Sequence, residues 1–398
     1  MKRLLLPALA LATVSVSSFA QTKTFAITSE KKGEFQWTAI REIDFSTGEF
    51  TKTLYTKTPQ QELQLRGING NTIDNNSFIT GRGVAAAAYD KVTNRLYFSE
   101  MYGNELKFVD LNTSNAGTLS IGVNSDARFS TGTKNYDESN VITRMTFGSD
   151  GIGYALTNDG NNLISFTTGA NPTVTKLGGL MDSRRNKDVS IHSQCTSWGG
   201  DIVGDVYGNL YLITMRNNVF KINVAKMEAE FIGAIKNLPA TFTTNGAAAD
   251  EDGNIVLSSA SNADSYFKVN PSTLEATVIK GGKDMFNVSD LANGNLVYQH
   301  KNTVVNTVNT ISKGEVSVFP NPVLNKNFTV NFNKLTAGNY TLVLTDINGK
   351  AVLNKTVNVN ATSTEKVAMP TATGAGIYML RVVDANGKTV HTSSIVME

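Results

Sequence analysis

The sequence predicts an all-β protein in two parts, a long repeat domain and a small C-terminal domain. Two observations support this prediction. Short runs that alternate apolar and polar residues, separated by turns rich in Gly, Asn and Asp, follow one another from about residue 22 to the C-terminus. No segment carries the sustained apolar stripe of period 3.6 that a helix needs to face a core.

The first element has the features of a secretory signal. Lys2 and Arg3 precede an apolar run, and the small-x-small triplet at 18–20 predicts cleavage before Gln21. Serines interrupt the run, which disfavours the alternative of a membrane anchor, because a spanning helix needs about 20 apolar residues. We therefore expect a signal peptide at residues 1–20 and no integral membrane segment in the mature chain.

The charge balance and the cysteine count exclude several classes of protein. Without Lys2 and Arg3 the 36 basic residues fall to 34, which equals the number of acidic residues, 34. A neutral chain without a basic stripe is not typical of a nucleic-acid-binding protein, since phosphate contacts dominate such binding. The single cysteine, Cys195, excludes an intramolecular disulfide and a cysteine-based metal cluster.

Two kinds of hairpin alternate along the repeat domain. The first kind joins a small-residue strand to an aromatic or branched strand through an Asp/Gly/Asn turn. Its copies occur at 85–100, 144–158, 200–215, 246–260 and 287–300. The second kind has strict period-two alternation around a polar turn. Its copies occur at 40–55, 106–122, 163–178, 219–235 and 266–280.

Together the two hairpins form a four-stranded unit of about 40–60 residues, the repeat length of a propeller blade. In hairpin order, residues 22–305 resemble β-propellers in general, without the signature of a subfamily. The hairpins at 40–55 and 287–300 would share one blade and so close the ring. Five copies of each kind of hairpin predict five blades. The strand at 22–30 and the segment at 58–83 leave a sixth blade as an alternative. A large sandwich or a β-helix is the alternative.

A second β domain follows a Thr/Asn-rich run, and we expect a linker at 306–315 and a domain at 316–398. Its strands alternate with period two, and Asn-Gly turns at 348–349 and 386–387 are typical of tight hairpins. Several short strands in so small a domain predict an immunoglobulin-like β-sandwich.

Three motifs of this domain resemble the C-terminal sorting domain of the type IX secretion system of Bacteroidetes. They are VFPNP at 318–322, YTLVLTDINGKAV at 340–352 and GAGIYMLRVVDANGKTV at 374–390. The residues that carry the resemblance are Phe319, Pro320, Asn321, Pro322, Gly349, Gly376 and Tyr378.

The resemblance implies a route and a partner for the protein. The chain would cross the inner membrane by the Sec route and the outer membrane through the type IX machinery, reaching the extracellular space or the outer cell surface via the periplasm. The sorting domain would then be removed, with the protein released or attached to surface lipopolysaccharide. The tail HTSSIVME lacks the lysine that many relatives carry in the last strand, which leaves the attachment step open.

Residues that carry chemistry are few. His192 and Cys195 lie close together, but a nucleophilic cysteine also needs an orienting group, so a packed loop is expected. The DEDGN stretch at 250–254 alternates oxygen ligands as a calcium loop does, but Ser261 stands where an EF-hand has its twelfth-position Glu. Gly81-Arg82-Gly83 lacks the helix of a phosphate loop. We expect no metal, no cofactor and no catalytic residue.

Binding is expected on one face of the propeller. Long connections at 56–83, 123–142 and 179–199 would share that face, and loops on a rigid scaffold often bind ligands. Charged and aromatic side chains dominate binding hot spots, and the candidates here are Arg82, Trp198, His192, Arg184 and Tyr136. We therefore predict a ligand- or partner-binding module, with a glycan or a surface protein as partner. The alternative is an extracellular hydrolase or lyase that acts on a polysaccharide or lactone at the channel mouth.

Overall fold

A computed structural model describes residues 22–397 apart from a set of short gaps. The gaps are residues 59–62, 81–82, 104, 116, 130–136, 170–171, 263–264, 280–284, 300–315, 320, 322, 324–325, 334, 347–349, 361, 372, 386 and 388. The chain divides into two units, Met1–Lys301 and Asn302–Glu398. The predicted signal peptide and linker lie outside the described residues.

The described residues of the first unit form five sheets. Sheet 1 contains the last strand of the unit and then, moving outwards, β1 (Thr24–Thr28), β2 (Ala39–Asp44) and β3 (Glu49–Tyr55). Sheet 2 contains β4 (Gln64–Gly67), β5 (Thr72–Ile73), β6 (Val84–Asp90), β7 (Arg95–Glu100), β8 (Leu106–Asn115) and β9 (Thr118–Asn124), with helix α1 (Asn75–Phe78) between β5 and β6. Its strand order is β5-β4-β9-β8-β7-β6.

The remaining three sheets follow in chain order. Sheet 3 contains β10 (Ile142–Phe147), β11 (Gly153–Thr157), β12 (Leu163–Phe166) and β13 (Val174–Gly178). Sheet 4, in the order β14-β18-β17-β16-β15, contains β14 (Met181–Asp182), β15 (Asp201–Gly204), β16 (Asn209–Ile213), β17 (Asn218–Asn223) and β18 (Glu228–Ala234). Sheet 5 contains β19 (Gly246–Ala249), β20 (Ile255–Ser258), β21 (Tyr266–Asn270) and β22 (Glu275–Ile279). The innermost strand of sheet 1 is β23 (Val288–Asn293), and short 3-10 helices span Glu138–Asn140 and Val224–Lys226.

The innermost strands of the five sheets surround one axis. Neighbouring inner strands follow one another around this axis in the order β6, β10, β15, β19 and β23, and β23 lies beside β6. Small residues dominate β6 and β19, where the inner strands converge: a Cβ on Gly246 would lie only 2.7 Å from backbone atoms of Asp290. Each neighbouring pair of sheets encloses its own apolar core, including the pair formed by sheets 5 and 1. The predicted all-β propeller architecture is therefore confirmed.

The ring closes differently from the prediction. The expected hairpin at 287–300 supplies only β23, whose partner is β1, in the register Phe25↔Ala292. The chain after β23 leaves the sheet, and Val297 instead forms a parallel bridge with Asp205 of the β15–β16 turn. The backbone amide of Val297 donates to the carbonyl of Gly204 at 2.9 Å, a bond that a hairpin with β23 would exclude. Sheet 1 thus combines three N-terminal strands with one C-terminal strand.

The two segments that could have formed a sixth blade belong to these sheets. Strand β1 comes from the stretch at 22–30 and completes sheet 1. In the described part of segment 58–83, β4 pairs in parallel with β9, and β5 pairs with β4. Both segments therefore extend or close existing sheets.

The second unit is a two-layer sandwich. One sheet has the order β24-β25-β28, from β24 (Val316–Phe319), β25 (Asn327–Asn333) and β28 (Thr362–Ala368). The other has the order β27-β26-β29-β30, from β26 (Gly338–Thr345), β27 (Ala351–Val359), β29 (Gly376–Asp384) and β30 (Thr389–Met397). Phe328 and Phe332 of the first sheet share one buried cluster with Leu342 and Leu380 of the second, so the predicted small sandwich is confirmed.

Candidate functional site

Two carboxyl groups meet at the propeller axis. The side chains of Asp201, in β15, and Asp290, in β23, are completely buried. The amides of Ile202 and Ala247 donate to Asp201 at 2.7 and 2.8 Å, and the amide of Ala87 donates to Asp290 at 2.9 Å. Burial raises the pKa of Asp201 to about 8, and burial together with the neighbouring Asp201 raises the pKa of Asp290 well above its usual value. The pair is therefore not fully ionised at neutral pH.

A buried arginine lies near this pair. The side chain of Arg144, in β10, is fully buried and donates to the carbonyls of Thr157, Ser197 and Gly199 at 3.0, 2.7 and 2.9 Å. Burial lowers its pKa to about 10, while the charge of Asp201 acts in the opposite direction. Arg144 thus links sheet 3 to the loop that precedes sheet 4.

The cavity on the axis is too small for a substrate. Residues from all five inner strands line it, and its volume is about 10 Å³, the space of about one water molecule. The segment at 294–299 crosses below it: the Leu296 side chain lies against Gly204, and the amide of Tyr298 donates to the carbonyl of Gly253 at 2.9 Å. The axial acid pair is therefore enclosed, as a structural group would be.

The 179–199 connection holds three predicted binding residues, and two of them, His192 and Trp198, are engaged within the fold. The imidazole of His192 lies between two carbonyl oxygens, with Nδ1 2.7 Å from Asp159 O and Nε2 3.0 Å from Leu180 O. The indole of Trp198 donates to the His192 carbonyl at 3.3 Å. Both side chains are half-buried, and these contacts order the loop. A ligand-binding role for them stays a prediction.

The other predicted residues are more dispersed. Arg184 is exposed at the turn that follows β14. Cys195 is exposed and free. Arg82 and Tyr136 lie outside the described residues.

A groove next to Arg184 was missed by the sequence analysis. It has a volume of about 290 Å³ and is lined by Arg185, Asn209, Lys221, Asn223, Lys226, Glu228 and Glu230. Cross-strand partners share one face of a sheet, and here Asn209 pairs with Asn223, Lys221 with Glu230, and Asn223 with Glu228. The groove is therefore the peripheral part of one face of sheet 4, and its volume is close to the lower limit for small-molecule sites, about 300 Å³.

An aromatic pair adjoins this polar groove on the same face. Tyr211 lies directly opposite Lys221 across the β16–β17 ladder, and its ring contacts that of Tyr298, with centroids 6.0 Å apart. Tyr298 also contacts Tyr207, with centroids 5.9 Å apart, and 54% of the Tyr207 side chain is exposed. A polar groove and a tyrosine cluster that includes the exposed Tyr207 are thus joined through the cross-strand pair of Lys221 and Tyr211.

One carboxylate holds the turn that presents Tyr207. Asp205 accepts hydrogen bonds from the amides of Tyr207 and Asn209 at 2.9 and 2.8 Å and from the Asn209 side chain at 2.9 Å. Gly208, with φ of 85°, provides the left-handed residue that this turn requires. Burial raises the pKa of Asp205, and the charge of Lys221 opposes that shift. The turn is therefore rigid, and an aromatic residue at its tip was the signal available in the sequence.

Charges in the groove are mixed. Arg185 and Glu230 form an ion pair at 3.1 Å. Lys221, Lys226 and Glu228 complete the charged lining. Such a surface is close to electrically balanced and rich in both hydrogen-bond donors and acceptors.

In the second unit, the sorting-motif residues are partly described. Asn321 lies beside β30, Gly376 begins β29, and the buried Tyr378 donates from its hydroxyl to the Gly374 carbonyl at 2.8 Å. Phe319 ends β24. Pro320, Pro322 and Gly349 lie outside the described residues.

Two further features of the described residues concern membranes and metals. None of the helices there is long and apolar enough to cross a membrane. In the same part of the chain, no cluster of three or more His, Cys, Asp or Glu residues could hold a metal ion.

Comparison with known proteins identifies the second unit. Residues 317–398 match the family model described as a secretion system C-terminal sorting domain. The protein is thus an all-β propeller followed by a sandwich, and the sandwich is a type IX secretion sorting domain, as its motifs predict. This domain indicates export to the cell surface or the extracellular space through the type IX machinery. The sequence matches no curated protein.

The chain is distantly similar to several solved structures. PorZ, a surface component of the type IX system of Porphyromonas gingivalis, matches at 11% identity and TM-score 0.30 over 94% of this chain and 51% of that one, about half its length. A Bacteroides thetaiotaomicron protein of unknown function matches at 14% identity and TM-score 0.40, over 68% and 71% of the two chains. Catalytically inactive virginiamycin B lyase from Staphylococcus aureus matches at 13% identity and TM-score 0.33, over 66% and 71%.

Proposed function

We propose that this protein is an exported β-propeller that binds a glycan in the groove of sheet 4, without catalysis. The observation that supports the proposal most is that the exposed Tyr207 and its neighbour Tyr298 share a face with a polar groove. A sugar ring offers one apolar face, which stacks on an aromatic ring, and several hydroxyls, which need hydrogen-bond partners.

The polar lining suits hydroxyl groups. Each hydroxyl both donates and accepts, and the side-chain amides of Asn209 and Asn223 do the same. Glu230 accepts and Lys221 donates. The mixed charges disfavour a polyanion such as nucleic acid, which requires a positive surface.

The export route supports an extracellular glycan as the partner. We infer that residues 1–20 are a signal peptide, that the host belongs to the Bacteroidetes, and that residues 306–315 link the two domains. A surface protein that docks on the loop face of Arg82, Tyr136, Arg184, His192 and Trp198 is the other proposed partner. A glycan in the groove has the stronger support, because His192 and Trp198 already have partners within the fold.

A glycan panel tests the proposal. Retention of the purified wild-type protein would be compared with that of Tyr207→Ala and of Phe35→Ala, a matched control that removes another exposed aromatic ring (64% exposed) from the same unit. We expect Tyr207→Ala to lose at least tenfold in affinity with unchanged thermal stability, because truncating an aromatic residue at the centre of a binding site costs about 2 kcal/mol or more. Phe35→Ala should bind as wild type does. Equal retention of all three proteins on every glycan bound, or no binding by wild type, would contradict the proposal.

A further inference from the structure

The start and the end of the sorting domain meet at the outer edge of β30. In its sheet, β30 has only β29 as a neighbouring strand, so the other edge carries backbone groups without a strand partner. Part of that edge is occupied by the segment that begins at Asn321. The amide of Val323 donates to the carbonyl of Val396 at 2.7 Å, and Val323 forms a parallel bridge with Met397.

The side chain of Asn321 continues this pairing by one step. Its Nδ2 donates to the carbonyl of Ser394 at 2.9 Å, and its Oδ1 accepts from the amide of Val396 at 2.8 Å. In a parallel ladder, one residue donates to the carbonyl before its partner and accepts from the amide after it. The side-chain amide of Asn321 therefore makes the two bonds that a backbone residue opposite Ile395 would make.

The chemistry of Asn321 explains how a side chain performs this task. Asn321 stands between Pro320 and Pro322, and proline is disfavoured within a regular strand. Asparagine carries one carbonyl and one NH₂ group, the same pair of functions as a peptide unit. Aspartate could accept from Val396 but could not donate to Ser394.

We propose that Asn321 is a positioning residue for export, because its amide holds the final strand in the folded sorting domain. An edge strand that has a neighbouring strand on one side only opens locally more easily than a strand inside the sheet. The matched domain runs from residue 317 to residue 398, so Asn321 ties its first residues to its last strand. Without this clamp the end of β30 opens, and the type IX machinery receives a sorting domain whose last strand is not in place.

The test compares Asn321→Ala, Asn321→Asp and the control Asn358→Ala. Asn358 lies in the same sandwich, and its side chain donates to the side chain of Asn339, at 2.8 Å. Each full-length variant would be expressed in a host with a type IX system, and its exported fraction measured by fractionation. Hydrogen exchange of the purified full chain would report on the amide of Val396.

We expect exchange at Val396 to become about twentyfold faster in Asn321→Ala, which loses both hydrogen bonds, because each lost bond of about 1 kcal/mol changes a local equilibrium about fivefold. In Asn321→Asp, which keeps the acceptor for Val396 and loses only the bond to Ser394, exchange should become about fivefold faster. Their exported fraction should fall several-fold, and Asn358→Ala should match wild type in both measurements. Wild-type export by Asn321→Ala would overturn the proposal. So would reduced export with unchanged protection of Val396, or a loss of protection spread evenly over the whole sandwich.

Discussion

Replacing Asp290 with asparagine should change how the stability of the propeller depends on pH. In the folded chain the axial pair of Asp201 and Asp290 is fully buried, and burial raises the pKa of both groups, that of Asp201 to about 8. In the unfolded chain both carboxyl groups ionise near their ordinary value, about 4. Between these values the folded state binds more protons than the unfolded state, so the free energy of unfolding decreases as pH rises.

The expected slope follows from the protons that the folded pair retains. A difference of one proton changes the free energy of unfolding by about 1.4 kcal/mol per pH unit. From pH 5 to pH 7, below the folded-state pKa of Asp201, the wild-type propeller should therefore lose about 3 kcal/mol for each proton that the pair retains. Asp290→Asn removes one of the two buried groups whose pKa is raised, so fewer protons are retained on folding and the slope becomes shallower. Burial also raises the pKa of Asp205, so this group gives the variant a remaining slope of the same sign.

Tryptophan fluorescence isolates the first unit in this experiment. The chain has two tryptophans, Trp37 and Trp198, and both belong to the propeller unit. Urea unfolding followed by this signal at several pH values from 5 to 8 gives the slope for wild type and for Asp290→Asn. Two results would refute the account in which the buried pair retains protons at neutral pH. One is a wild-type free energy of unfolding that is constant or rises with pH. The other is identical slopes for the two proteins.

Three further predictions concern the ring and the route. Arg144→Met should lower the free energy of unfolding by about 3 kcal/mol or more in urea titrations, because it removes the buried charged donor that serves the carbonyls of Thr157, Ser197 and Gly199. A loss below about 1 kcal/mol would show that water replaces the guanidinium. Deleting residues 22–30 removes β1, which joins β23 to β2, and should abolish the cooperative thermal transition of the first unit, whereas a near-wild-type Tm would contradict closure through β1. Deleting residues 316–398 should leave the remainder in the periplasm by fractionation, and normal export of the truncated chain would be the contrary result.

Much of the propeller could be predicted because its hairpins are local. The hairpins β2–β3 and β8–β9 form between residues close in sequence, so period-two alternation and turn chemistry suffice to find them. The pair of strands that closes the ring, β1 and β23, is not close in sequence. Phe25 and Ala292 lie at opposite ends of the unit, and the long connection from β1 to β2 lacks the tight turn that would mark β1 as half of a hairpin.

The site was harder to predict than the fold for the same reason. The axial acid pair depends on the convergence of β15 and β23, which no local pattern reveals. The groove depends on cross-strand register, since Lys221 meets Tyr211 on one neighbour and Glu230 on the other. His192 and Trp198 stood out by residue type, but their contacts with backbone carbonyls follow from the folded loop.

A crystal structure of the protein soaked with the glycan that it retains best would test the central proposal most directly. The account predicts density for a sugar ring against Tyr207, with hydroxyls within hydrogen-bond distance of Asn209, Lys221 or Glu230. Density for the glycan at the loop face near Trp198, with the groove of sheet 4 free of ligand, would contradict it.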